Sequence, residues 1–160
     1  MINKLYVTGL ILLFSFGYAL NIQAQDIPEP KDPPQLVNDY TNTLSQEQWR
    51  TLEEKARIFN NTTSTQIAVV IVPSLGGADA SSYAFELGEK WGVGQEGFNN
   101  GIVVLVKPKT PDSRGQAFIA TGYGVEHVVP DAVANQIVDN EMIPHFRQED
   151  YYGGLNAATT

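Results

Sequence analysis

Two short, β-branched, almost uninterrupted apolar runs, Gln66 to Val72 and Gly101 to Val106, constrain this chain most. Runs of that length and purity suit strands covered on both faces. Between them, Asp79 offers an N-cap for a helix from Ala80 to about Trp91, with Tyr83, Leu87 and Trp91 on one stripe and Gly92 as its stop. Two strands joined by a helix form a parallel pair with a right-handed crossover. A polar turn, Lys107 to Gly115, then returns the chain into a third strand, Gln116 to Thr121, antiparallel to the second.

The flanking segments complete an α/β pattern. Ser45 with Gln48 reads as a capping box, and Leu44 can staple onto Trp49. Trp49, Leu52, Ala56 and Phe59 follow at helical spacing, with an end expected among Asn60, Asn61, Thr62 and Thr63. Another helix is expected from Pro130, carrying Val133, Ile137 and Met142 inward, with Pro144 interrupting the chain beyond it and Asp150 capping a last short helix. Leu36 to Tyr40 offers an extra edge strand. The fold class is α/β: a three-layer α/β/α sandwich around a mixed sheet, a parallel pair plus an antiparallel hairpin.

Residues 1–24 stand apart. Lys4, the apolar stretch Leu5 to Leu20 and the small-residue site ending at Ala24 read as a secretory signal peptide. A retained N-terminal anchor is the alternative, since the stretch approaches the shortest membrane spans. Residues 25–35 form a linker in which Pro28, Pro30, Pro33 and Pro34 predict an extended tether, and residues 36–160 form the domain. The expected location is exported, periplasmic or cell-surface. There is no cysteine, which removes disulfides, thiolate nucleophiles, Cys-ligated zinc and lipoprotein anchoring. Ten Lys and Arg against 18 Asp and Glu give a net charge of −8, made one unit more acidic if Lys4 leaves with the leader. Such a chain has no electrostatic footprint for nucleic acid.

The hairpin draws attention to one sheet edge. The start of one strand lies beside the end of the other, so the loop Trp91 to Asn100 meets Gly122, Tyr123, Gly124, Val125 and Glu126. Asn99, Asn100, Glu126 and, at a helix start, Asp131 present the oxygen donors that calcium or magnesium takes. Each also has a plain structural reading: turn chemistry for the asparagines, a solvated acid for Glu126, a dipole-placed acid for Asp131. Asp39 joins the group only if residues 36 to 40 run back along the sheet. Gly122, Tyr123 and Gly124 can form a backbone nest for an anion such as phosphate. They do not make a dinucleotide fingerprint, because His127 stands where a third glycine belongs. His127 and His145 read as surface or packing residues, although His127 adjoins Glu126 and could act as an acid or base, and no nucleophile elbow, phosphate loop or zinc-protease motif is present.

The order and spacing of Val37, Asn38 and Asp39; Gln66 to Val72; Trp91 to Gly94; Asn99, Asn100 and Gly101; Gly122 to Glu126; Pro130 and Asp131; Ile143 to Phe146; and Asp150 to Leu155 together resemble the TPM domain family. The resemblance implies an exported α/β/α domain, often tethered by a transmembrane helix beyond it. It also implies either divalent-cation-dependent acid phosphatase activity or a role in photosystem repair and assembly of membrane complexes. Many relatives carry an acid where Asn99 stands, which should weaken a metal site here. The sequence stops at Thr160 without such a helix, so either that anchor lies beyond it or this member is soluble; membrane association would need a segment not present here.

Two functions follow as expectations. One is a binding or assembly module of the cell envelope, taking a protein or peptide through this edge, with Tyr123, Phe98 and Tyr151 as rim anchors and a calcium or magnesium ion ordering the loops. The other is a metal-dependent acid phosphatase acting on a phosphate ester, for which the sequence names no catalytic residue.

Overall fold

The computed structural model describes residues 26–97 and 99–160, so the expected leader and Phe98 lie outside the described residues. Strands β1 (Val37–Asp39), β2 (Gln66–Ile71), β3 (Gly101–Lys107) and β4 (Gln116–Thr121) lie side by side in that order. β1 and β2 are parallel, β2 and β3 are parallel, and β3 and β4 are antiparallel, with Gln66 opposite Gly101 and Ile102 opposite Thr121. The domain is the expected α/β/α sandwich with a mixed sheet.

Side-chain alternation sorts the two faces. Val69, Ile71, Val104, Val106 and Ile119 face a core shared with Leu52, Ala134, Met142 and Leu155. Ala68, Val70, Val103, Leu105 and Ala120 face Tyr83, Ala84 and Leu87 of helix α2 (Ala80–Trp91). Tyr83 and Leu87 are fully buried, each contributing roughly 1.5–3 kcal/mol by that burial.

Helix α1 (Gln46–Thr63) starts with the reciprocal Ser45 and Gln48 bonds read from the sequence. It ends at Thr63, the last residue of the Asn-Asn-Thr-Thr cluster where its end was expected, and the Thr62 and Thr63 hydroxyls turn back to donate to the carbonyls of Ile58 and Phe59. Ser64, in left-handed backbone, caps that end. Its Glu53 is buried against the sheet, where Oε2 accepts from the backbone N–H groups of Leu36 (2.9 Å) and Val37 (2.7 Å) and Oε1 pairs with Arg57 (2.7 Å). That carboxylate satisfies the start of β1 and holds the strand to the helix.

The Pro-rich segment is not a free tether. Ile27 is buried among Val70, Tyr83 and Leu87, and backbone carbonyls of the segment accept from α2 side chains. Trp91 Nε1 donates to Pro28 (2.9 Å), Lys90 Nζ to Ile27 (2.9 Å) and the Tyr83 hydroxyl to Asp26 (3.2 Å). Prolines keep the segment extended, and one isoleucine with these donors docks it as a strap over α2.

The C-terminal third also differs in detail. Helix α3 (Asp131–Ile137) passes through a widened π turn, Val138–Met142, into the short α4 (Ile143–Phe146), and α5 (Tyr151–Ala158) follows. The Ile143 N–H reaches back five residues to the Val138 carbonyl just before Pro144, so the register shift accommodates a proline that cannot donate. Ala134 rather than Val133 faces the core; Val133 is exposed.

Candidate functional site

The loop before β3 is pinned to the neighbouring strand. Gln66 Oε1 of β2 accepts from the Gly94 N–H at 2.6 Å, and the Gln66 N–H donates to the Asn100 carbonyl at 3.2 Å. The Asn100 side chain adds to the same pinning, since its amide donates to the Ser64 carbonyl (2.6 Å) and its oxygen accepts from the Gln95 N–H (2.7 Å). Asn100 thus closes the turn and has no part in the cavity beside it.

Asn99 sits in left-handed backbone, φ 48°, and its carbonyl accepts from the Gly124 N–H at 3.0 Å. A Cβ on Gly122 would collide with that same carbonyl, so only glycine lets the two loops close on each other. The antiparallel hairpin therefore brings the amide loop and the Gly122–Glu126 loop together.

These loops form one wall of a cavity of about 1000 Å³. Ala84, Phe85, Gly88 and Glu89 of α2 form another, and Asn99, Gly122, Tyr123, Glu126 and Asp131 all line it. Ala84 and Gly88 let α2 lie close to the sheet along this wall, where a Cβ on Gly88 would stand 3.2 Å from the Val103 side chain. Glu89 and Glu96, which sequence reasoning passed over, join Glu126 and Asp131, and no Lys, Arg or His among the described residues lines the space. A cavity with one sign of charge concentrates counter-ions. The signal available in sequence was the spacing of Ala84 and Gly88, which marks the face of α2 that lies close to the sheet and puts Glu89 next to it.

Asp39 lies elsewhere. β1 runs parallel to β2, with Asp39 opposite Ile71, whereas the cavity opens where Gln66 meets Gly101. Residues 36 to 40 do not run back, so Asp39 ends at the other end of the sheet. Its carboxylate accepts from the Thr41 N–H (2.8 Å), the Thr41 hydroxyl (2.7 Å) and the Leu44 N–H (2.8 Å), organising the turn into α1.

The anion nest is not formed. Neither Gly122 nor Gly124 has positive φ, and the Gly124 and Val125 N–H groups are taken by Asn99 and Gly122. Of the expected rim anchors, Tyr123 is 83% exposed beside the cavity, while Tyr151 lies against a different hollow with its hydroxyl bound to the Lys109 N–H. Phe85, 47% exposed, takes an unexpected place on the rim.

The donor set fits a hard cation only loosely. Carboxylate, amide and backbone oxygens are present, and the buried Thr121 hydroxyl at the wall has no protein partner among the described residues. Yet among the described residues no three acidic or histidine side chains stand close enough to form a ligand cluster. A cation here would keep several waters.

A model of the TPM domain matches residues 37–160. The solution structure of the N-terminal domain of a P. gingivalis protein is 34% identical, covering 78% of this chain and 77% of that one, with a TM-score of 0.69. The N-terminal domain of Corynebacterium glutamicum cg2496 (19% identity, 82% and 79% covered, TM-score 0.61) shares the fold. So does the BA42 protein from Bizionia argentinensis (19%, 76% and 79%, 0.60). No curated protein sequence matches the chain. The order of motifs, the four-stranded mixed sheet and the family match agree: this chain belongs to the TPM domain family.

Proposed function

We propose that this is an exported binding module of the cell envelope whose working face is the acidic cavity, with a calcium or magnesium ion held weakly between its loops. The observation that carries the reading is the cavity itself: two loops locked by the Gly124 to Asn99 bond, four carboxylates and no cationic side chain among the described residues of the lining, and two exposed aromatic rings on the rim. Aromatic rings at a rim supply anchoring area to a protein or peptide partner. The cation, bound through Glu126, Asp131, Asn99 and water, would order the loops and bring its affinity into the range of extracellular modules, about 10⁻⁴ to 10⁻³ M.

Calorimetric titration with calcium and with magnesium tests this reading. The expected result is saturable binding in that range, weakened at least about fivefold in a Glu126→Gln, Asp131→Asn variant. Absence of binding to the unaltered protein contradicts it. Robust hydrolysis of a phosphate ester that disappears in Glu126→Gln would instead establish the phosphatase alternative, in which the cation polarises a phosphoryl oxygen.

A further inference from the structure

The far end of β3 carries the opposite charge. Lys107, its last residue, is only 8% exposed, and its ammonium is held by the Ser113 hydroxyl and the Arg114 carbonyl (2.7 Å), both uncharged. Burying a cation without a counter-ion is costly. Lys31 and Lys55 are likewise held by neutral oxygens, of Asp39 and Asn156, whereas Arg57 pairs with Glu53 and Lys90 with Glu29. Lys107, Lys109 and Arg147 instead border one hollow of about 260 Å³, and none has a carboxylate within ion-pair distance among the described residues.

We infer that this hollow, between the β3–β4 turn and the turn from α4 to α5, is an anion-binding site for a phosphomonoester. Charge chooses the ligand. Three cations against the single carboxylate of Glu149 leave a surplus of two, which matches a phosphate dianion rather than a carboxylate. Hydrogen bonding agrees: the Tyr151 hydroxyl accepts from the Lys109 N–H at 2.9 Å, which leaves its own proton to donate, and that contact fixes the Lys109 backbone at the mouth. Lys107 is likewise held in place before any ligand arrives. Ile143 and the tilted Phe146–Tyr151 ring pair, centroids 5.0 Å apart, give an apolar wall for the organic part of an ester. The site stands on residues separate from the acidic cavity and does not depend on the function proposed for it.

Chemical-shift titrations of the ¹⁵N-labelled protein with inorganic phosphate, phenyl phosphate and benzoate provide the test. Phenyl phosphate should give saturable shifts of the amides at 107–116 and 146–151 at about millimolar concentration, with inorganic phosphate weaker and benzoate weakest. Arg147 and Lys109 are exposed, so Arg147→Ala and Lys109→Ala should leave the fold intact while weakening phenyl phosphate about tenfold each. Glu149→Gln should tighten it. Equal binding of inorganic phosphate would support the anion site and remove the ester from the assignment. Benzoate binding as well as phenyl phosphate, unsaturable drift scattered over the surface, or an unchanged affinity in Arg147→Ala would overturn the inference.

Discussion

Asp39 closes β1 and Glu126 lies in the loop after β4, and their surroundings give the two carboxylates different work. Asp39 is nearly buried and accepts three hydrogen bonds within its own turn, so it has little left for a ligand. Glu126 is exposed on the cavity rim. Asp39→Asn replaces an acceptor with a donor facing an N–H group, which should cost about 1–3 kcal/mol. Urea unfolding would show a lower midpoint at unchanged slope, and calcium affinity should not move. A loss of affinity without a loss of stability would return Asp39 to the site. Sequence distinguished neither role, since the direction of a three-residue strand is not written in its pattern. The same holds for Asn99 and Asn100: adjacent and alike in type, one borders the cavity and the other is consumed by Ser64 and Gln95.

At the scale of elements, the caps were the most legible feature, because their residue types act locally. Ser45, Asp79 and Asp150 all cap the helices assigned to them. The Ser81 hydroxyl, then the Ser82 N–H and hydroxyl, hold the Asp79 carboxyl well below the usual carboxylate range. The Gly153 N–H, then His145, lower that of Asp150. Groups with depressed folded-state values contribute stability that is fully present above the unfolded value of about 4 and is lost as pH falls below it. Thermal midpoints should therefore drop on acidification from about pH 5 to pH 2, and less steeply in an Asp79→Ala, Asp150→Ala variant. An identical pH slope in that variant would contradict the assignment. The strands were legible from composition, and Gln116–Thr121 has the bounds read from sequence. The docked strap was not: its prolines report backbone shape, while docking depends on donors some sixty residues away. Ile27→Ala should destabilise the domain by about 2–4 kcal/mol, measured by urea unfolding; a change under about 0.5 kcal/mol would mean the strap is not part of the core.

Across the whole molecule, charge is separated along β3. The acidic cavity opens at Gly101 and the basic hollow at Lys107, roughly 20 Å apart for a strand of this length. The family match gives the frame, and the parallel, parallel, antiparallel order of strands decides which loops meet. Hairpin logic from sequence reached the meeting of the Asn99 and Gly122 loops because antiparallel pairing is local. It missed Glu89, Phe85 and the basic hollow because those depend on how α2 and the C-terminal helices pack. The acidic cavity is the centre of the proposed function, and a chemical-shift map of the ¹⁵N-labelled protein during calcium titration tests it. Saturable shifts are predicted at Asn99, Gly122 to Glu126 and Asp131, with the Asp39 to Leu44 turn unmoved. Shifts confined to that turn, or none at the cavity, would contradict it.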